Sequence, residues 1–130
     1  MTNEEKKLLL QDLCARLPYD VRVQDGNGVH ILQTGNTEFA DLLYGNKRSI
    51  KPYLRPMSSM TEEEVNEFNT LIGYEEMGEW IRANKLWGSY GLDILKCSDI
   101  INWLNAHHFD YRGLIEKGLA LVAPECMYNI

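Results

Sequence analysis

Four leucines near the N-terminus recur at the spacing of an amphipathic helix. They are Leu9, Leu10, Leu13 and Leu17. Thr2 and Glu5 stand three positions apart, as in a capping box, and Pro18 follows the last leucine. The pattern predicts an N-terminal helix that ends at Pro18, with Cys14 as a small buried thiol on it.

The pattern then changes to alternation between apolar and polar positions. Tyr19, Val21 and Val23 alternate with polar residues, which is the period of a half-buried strand. The sequence Asp-Gly-Asn-Gly at 25–28 offers two turn dipeptides, and Val29 and Ile31 continue beyond it. This segment predicts a β-hairpin.

The next segment is ambiguous and then irregular. Residues 36–50 fit either a short helix closed by Gly45 and Asn46 or a third strand, and both interpretations stay open at this point. From 49 to 60, two prolines exclude the interior of a regular helix. We expect an ordered loop there, anchored by apolar side chains at Ile50, Tyr53, Leu54 and Met57.

The second half of the chain has mostly helical patterns. Thr61 and Glu64 form a second capping box, which begins a helix that Gly73 is placed to end. A helix over 74–85, an aromatic loop over 85–91, a helix capped by Ser98 and a helical turn over 115–118 are expected to follow. Residues 119–122 predict a closing strand, stopped by Pro124.

These elements predict one globular domain over residues 1–130. Its predicted fold class is α+β, mostly helical, with an N-terminal β-hairpin and a possible third strand. An apolar fraction of 45% and a charged fraction of 25% are ordinary for a globular protein. The apolar runs are short and the N-terminus lacks the features of a signal peptide, so we expect a cytoplasmic protein without a membrane segment.

The net charge of -6 is unevenly distributed. Residues 1–60 hold 8 Lys and Arg against 7 Asp and Glu, whereas residues 61–130 hold 5 against 12. An acidic chain disfavours general nucleic-acid binding. A local exception is a basic stretch without acidic residues, which contains Lys47, Arg48, Lys51 and Arg55.

No cofactor or metal site is expected. The 3 cysteines are widely spaced and form no Cys-x-x-Cys pair, so a structural zinc site is not indicated. Gly88 and Gly91 enclose Ser-Tyr without a following Lys-Ser/Thr, so they do not form a P-loop.

The strongest chemical candidate is a cluster near the C-terminal end of the last predicted helix. It contains His107, His108, Asp110, Tyr111 and Arg112. A histidine base, a carboxylate that orients it and an anion-binding arginine would suit a hydrolase or a transferase. The simpler interpretation is a helix end that favours cations, because adjacent helical positions point about 100° apart and cannot share one ligand.

The basic stretch offers a second candidate. Lys51, Tyr53 and Arg55 interleave cations with an aromatic ring, as on surfaces that bind phosphate or nucleic acid. The simpler interpretation is a solvated loop whose cations meet the glutamates of the next helix. Those glutamates are most simply a solvated helix face.

Two blocks carry a resemblance to a known family. The blocks are KPYLRPMSSMTEEE at 51–64 and WLNAHHFDYRGLIEKGLAL at 103–121, with similarity up to Tyr128. They resemble an uncharacterised family of small proteins from Bacteroides-type gut bacteria and their phages or mobile elements. The family pattern has Glu and Gly where this chain has Val122 and Cys126, which implies that Cys126 has no essential role. The resemblance implies an origin and carries no mechanism.

The leading functional hypothesis is therefore a non-enzymatic accessory protein that acts through contacts with a protein partner, in a phage or mobile-element setting. The expected interaction surface contains Tyr53, Arg55, His108, Tyr111 and Arg112. The alternatives are a phosphate- or nucleic-acid-binding module that uses 47–55, and a hydrolase or transferase that uses 107–112.

Overall fold

A computed structural model of the chain describes residues 2–35, 37–43, 50–72, 82 and 98–128. The chain divides into two compact units. The sheet unit consists of Met1–Leu54 and Arg112–Ile130, and the helical unit is the continuous segment Arg55–Tyr111. The chain therefore leaves the sheet unit once and returns to it once. A single domain over 1–130 stays a prediction, since compact units also occur within one domain.

The sheet unit begins with the predicted helix. Helix α1 spans Asn3–Arg16, and the capping box of Thr2 and Glu5 is confirmed. The helix is followed by a 3-10 turn over Leu17–Tyr19, which accommodates Pro18.

The buried side of α1 differs from the predicted leucine stripe. Its buried residues are Leu9, Asp12, Leu13 and Arg16. Two charged side chains can be buried because the Arg16 guanidinium donates from Nε to the Asp12 carboxylate at 2.8 Å, one turn away. The predicted burial of Cys14 is wrong, since this thiol lies on the exposed side of the helix.

Within the described residues, the sheet has four strands in the order β2-β1-β3-β4. Strands β1 (Arg22–Asp25) and β2 (Gly28–Ile31) form the predicted hairpin. Strand β3 (Lys51–Leu54) runs antiparallel to β1. Strand β4 (Leu121–Val122) runs parallel to β3 and confirms the predicted closing strand.

The predicted fold is wrong. A mostly helical domain with a hairpin and a possible third strand was expected, whereas the hairpin follows the predicted helix and joins two further strands in a four-stranded sheet among the described residues, in a mainly α+β arrangement. The error comes from residues 51–54, where the prolines indicated a loop. Pro52 stands near the start of β3, before the pairing with β4 begins at Tyr53, which is a position where a strand tolerates proline.

A second helix completes the core of the sheet unit. Helix α2 spans Thr37–Leu43, so the helical interpretation of this segment is the correct one. The core joins side chains of α1, α2 and one sheet face with those of the C-terminal segment. Its buried members are Leu9, Leu13, Val21, Val23, Leu32, Phe39, Leu42, Ile50, Leu54, Leu114, Leu119 and Ala120.

The helical unit begins with a short 3-10 turn at Met57–Ser59, before helix α3 (Glu62–Ile72). The capping box at its start is confirmed: Thr61 N donates to Glu64 Oε1 at 2.9 Å, and Glu64 N donates to Thr61 Oγ1 at 3.2 Å. Helix α4 spans Ser98–Ala106, so Ser98 is its first residue. A separate core fills this unit, with Met57, Met60, Val65, Phe68, Ile100, Leu104, Phe109 and Tyr111.

Some predictions fall outside the described residues. They are the helix ends at Gly45–Asn46 and Gly73, the loop over 85–91, and all of the helix over 74–85 except Arg82. The turn over 115–118 is present as a hydrogen-bonded turn and not as a helix, with Gly118 N donating to Ile115 O at 3.1 Å. No helix among the described residues combines the length and the hydropathy that crossing a membrane would need.

Candidate functional site

Arg55, a predicted binding residue, is a buried structural residue of the helical unit. It is 5% exposed and forms a bidentate pair with Glu64, with both N–O distances at 2.7 Å. Its guanidinium also donates to the carbonyl of His107 at 3.2 Å and lies 4.2 Å from the centre of the Phe109 ring. The expectation that cations of the basic stretch meet the glutamates of the next helix is confirmed here, but the expected solvation of Glu64 is wrong.

The Arg55–Glu64 pair changes the titration of the carboxylate. Burial alone would raise the pKa of Glu64 by disfavouring the charged form. The hydrogen bonds from Arg55 and from the Thr61 backbone outweigh burial, so the pKa of Glu64 is lower than its ordinary value. The carboxylate therefore remains charged and holds Arg55 in place.

Backbone pairing fixes the cluster residues around Arg55. Arg55 N donates to His108 O at 2.8 Å, and Asp110 N donates to Arg55 O at 2.9 Å. These bonds form a parallel bridge between Arg55 and Phe109. His108 and Asp110 are both buried, and His108 has a left-handed backbone with φ 63°. The left-handed turn at His108 and the bridge from Phe109 to Arg55 thus fix the backbone at 107–110 and the directions of its side chains.

His107 packs on the surface of the helical unit. Its ring stacks on Trp103 with centroids 4.1 Å apart, and its Nδ1 donates to the Trp103 carbonyl at 2.9 Å. Glu67 Oε1 lies 3.8 Å from His107 Nε2 but only 2.6 Å from Trp103 Nε1, so the carboxylate is hydrogen-bonded to the indole. This geometry suits an aromatic packing role for His107.

Tyr111 and Arg112 also form structural contacts, and they belong to different units. Tyr111 is buried, and its hydroxyl donates to Asn105 Oδ1 at 2.9 Å in the helical unit. Arg112 in the sheet unit donates to Asp12 Oδ1 at 2.8 Å, so the buried Asp12 carboxylate holds both Arg112 and Arg16. Of the predicted interaction surface, Tyr53 and Arg112 belong to the sheet unit, and Arg55, His108 and Tyr111 belong to the helical unit.

The remaining predicted residues, Lys51 and Tyr53, lie on the sheet face opposite the core. In the ladder, Lys51 is the partner of Gln24, and Gln24 is the partner of Val29. Tyr53 shares this face, since its hydroxyl donates to Gln24 Oε1 at 2.6 Å. Lys47 and Arg48, the other cations of the basic stretch, lie outside the described residues.

We call this surface the outer face. It consists of Arg22, Gln24, Val29, Ile31, Lys51 and Tyr53. Val29 is 52% exposed and Ile31 is 39% exposed, although both are β-branched apolar residues in a strand. Neighbouring Arg22 and Gln24 are exposed as well, while Lys51 and Tyr53 are half-buried.

Tyr128 holds the two strands behind the outer face together. Its hydroxyl accepts from Arg22 N at 3.0 Å and donates to Tyr53 O at 2.6 Å. The β1–β3 register places Arg22 opposite Tyr53, so the hydroxyl bridges two groups at the end of the ladder. Burial raises the pKa of Tyr128 to about 12.

Arg22, Val29 and Ile31 are surface residues that the sequence analysis does not predict. The missed signal lies in the hairpin itself. Val21 and Val23 alternate with Arg22 and Gln24, which predicts that the polar members of β1 face solvent. The hairpin turn then places Val29 beside Gln24 and Ile31 beside Arg22, on the same solvent side.

Among the described residues, the sheet unit is an α+β structure with helices on one side of the sheet and an apolar and cationic surface on the other. Comparison with known proteins found no matching family, no matching curated protein and no matching solved structure. Within the described ranges, no group of three or more His, Cys, Asp or Glu side chains could hold a metal ion.

Proposed function

We propose that the protein is a non-enzymatic accessory protein that binds a protein partner through the outer face. One observation carries the proposal: Val29 and Ile31 are exposed side by side on a sheet whose opposite face is covered by helices. Contiguous exposed apolar side chains mark binding surfaces, whereas singly scattered ones do not, and Val29 and Ile31 are neighbours on one face of β2. A cytoplasmic location and a phage or mobile-element setting are part of the same proposal and rest on sequence features.

The predicted cluster at 107–112 gives less support to an enzyme. Tyr111 and Arg112 form contacts with Asn105 and Asp12, and His107 is stacked on an indole. A general base needs to reach a proton on a substrate, and these arrangements favour packing over proton transfer.

Binding of nucleic acid is the second candidate. The observation that favours it is the placement of Lys51, Tyr53 and Arg22 on one face, where cations flank an aromatic ring. A nucleic-acid surface would use these polar groups and leave Val29 and Ile31 without a role. For this reason we favour the protein partner.

Replacement of the two apolar side chains tests the proposal. Val29→Thr with Ile31→Thr keeps β-branched residues in β2 but removes their apolar ends. Val122→Thr is a matched control, because Val122 is 54% exposed and lies beside Leu54, on the side of the sheet that faces the core. Tagged proteins are expressed in cells where the gene is native, and the captured proteins are quantified by mass spectrometry.

The proposal predicts a partner that the wild-type protein and the control capture equally, and that the double variant captures at least about tenfold less. All three proteins should melt at similar temperatures. Equal capture by all three proteins, or loss only in the control, would contradict the use of this face.

A further inference from the structure

The charges on the outer face oppose those of the whole chain. The chain has a net charge of -6, yet the charged members of the outer face are Arg22 and Lys51. A face that carries cations on an acidic protein repels cationic partners and attracts anionic ones. The positive charge of this face thus favours anionic partners, and its apolar side chains favour partners with an apolar surface.

The cations lie in the same two rows as the exposed apolar side chains. In one row across the strands, Ile31 of β2 lies beside Arg22 of β1. In the other row, Val29 of β2, Gln24 of β1 and Lys51 of β3 lie side by side. Adjacent strands are about 4.8 Å apart, so the apolar side chain and the cation of a row are separated by about 5 Å in the first row and about 10 Å in the second.

These separations match the surface of an α-helix. Residues three or four positions apart on a helix are about 5–6 Å apart, and residues seven positions apart are about 10.5 Å apart. A helix with an apolar stripe and flanking acidic residues could cover Val29 and Ile31 while it pairs with Arg22 and Lys51. Such a helix would cover the outer face as α1 and α2 cover the opposite one.

We infer that the partner binds the outer face with an acidic amphipathic helix. This inference rests on the proposed function and adds the chemical class of the partner. Arg22 and Lys51 steer the acidic helix and fix its orientation, and the apolar stripe supplies the buried area.

Synthetic helices test the inference with the full-length protein. One probe is a peptide of about 18 residues with a leucine stripe, an alanine background and glutamates on both flanks, long enough to be helical. The matched probe has lysine at each glutamate position, and a single-stranded oligothymidine is the third probe. Binding is followed by fluorescence anisotropy, and the contact residues are mapped by amide chemical shifts in NMR.

The inference predicts that the glutamate peptide binds and shifts amides of 22–31 and 51–53, with affinity that falls as salt rises. Arg22→Glu with Lys51→Glu should weaken this peptide at least about tenfold and strengthen the lysine peptide. Lys6→Glu with Lys7→Glu, two lysines on α1, makes the same change in charge elsewhere and should have little effect.

Several results would overturn the inference. The lysine peptide could bind as well as the glutamate peptide, oligothymidine could bind more tightly at the same residues, or the charge-reversed variant could bind normally. If these results occur while Val29→Thr with Ile31→Thr still abolishes partner capture, the outer face remains the binding site and only the acidic class is wrong. If the glutamate peptide does not bind selectively and Val29→Thr with Ile31→Thr also leaves partner capture unchanged, the proposed function is rejected as well.

Discussion

At the residue scale, several charged side chains among the described residues are buried in ion pairs. Arg55 is held by Glu64, and Asp12 is held between Arg16 and Arg112. A buried charge is costly unless it is paired and hydrogen-bonded. These charged residues therefore stabilise the interior of their own unit through ion pairs and hydrogen bonds.

Glu64→Gln tests the first pair. Glutamine can still accept the Thr61 backbone hydrogen bond of the capping box, so the substitution removes mainly the charge opposite Arg55. We expect the helical unit to lose about 3–5 kcal/mol of unfolding free energy. Glu63→Gln on the exposed side of α3 should change little, and urea unfolding of the two variants measures the difference. Equal effects would show that the pair contributes no net stability.

The same carboxylate gives a pH dependence. The folded pKa of Glu64 lies below the ordinary value of 4.5, so the unfolded chain takes up a proton at a higher pH than the folded protein does. Its stabilising contribution is present above that value and is lost as pH falls through the folded pKa. Acid titration of the unfolding free energy should therefore be less steep for Glu64→Gln than for the wild-type protein, and identical slopes would contradict this assignment.

At the element scale, local and non-local features differ in how well the sequence reveals them. The two capping boxes, the hairpin and α1 depend on residues within a few positions of one another, and all were predicted. The pairing of Leu54 with Val122 and of Asp12 with Arg112 joins residues far apart in the chain, which spacing rules do not detect. Pro52 added a misleading local signal, because a proline indicates a loop until its strand partners are known.

The same distinction applies to the candidate site. The basic stretch was visible, but the sequence could not show that Arg55 is buried while Lys51 remains on a sheet face. Exposure of Val29 and Ile31 depends on which side of the sheet the helices cover. The alternation in β1 indicates that Arg22 and Gln24 face solvent, but the placement of Val29 and Ile31 beside them also requires the register of the hairpin.

Tyr128→Phe tests the bridge between β1 and β3. Phenylalanine leaves Arg22 N–H and Tyr53 C=O without the hydroxyl, and we expect a loss of about 1–3 kcal/mol in unfolding free energy. Tyr53→Phe removes only the more exposed hydrogen bond to Gln24 and should cost less. Thermal and urea unfolding of both variants make the comparison.

Tyr128 also predicts a loss of stability in alkali. The folded protein retains the phenolic proton up to about 12, whereas the unfolded chain releases it near 10.0. The contribution is complete below 10.0 and decreases as pH rises towards 12. The wild-type protein should therefore lose more stability over this range than Tyr128→Phe, and parallel curves would show that Tyr128 titrates normally.

The turn before β4 depends on a glycine. Gly118 has φ 72°, in the left-handed region, and a Cβ there would meet nothing within 4 Å. Gly118→Ala should cost about 1–2 kcal/mol through backbone strain alone. Gly35→Ala is the matched control, because Gly35 is equally open and lies outside that region. Equal urea midpoints for the two variants would mean that the turn relaxes without cost.

At the scale of the whole molecule, the sheet unit is built from both ends of the chain. Asp12 on α1 binds Arg112, 100 positions later, and β4 pairs with β3 only after the helical unit has been traversed. Contacts between distant positions slow folding because their loops must close first. The core of the sheet unit and the sheet that carries the outer face therefore both depend on the C-terminal segment, Arg112–Ile130.

Asp12→Asn tests this dependence. The substitution removes the negative charge that two guanidinium groups share, and we expect a loss of about 3–5 kcal/mol in the sheet unit. Asp20→Asn is the control, because Asp20 is exposed and its left-handed backbone also suits asparagine. Hydrogen exchange of amides in α1 and β1–β3 measures the effect, and similar protection in both variants would contradict it.

Site-directed photo-crosslinking in cells shows whether a partner binds the outer face. A photoreactive phenylalanine is placed at Val29 in one protein and at Val122 in another, since the two valines are similarly exposed on opposite sides of the sheet. If the outer face binds the partner, irradiation in the native cells should yield one dominant crosslinked partner from position 29 and little or none from position 122. Crosslinking from position 122 alone, or the same products from both positions, would contradict it.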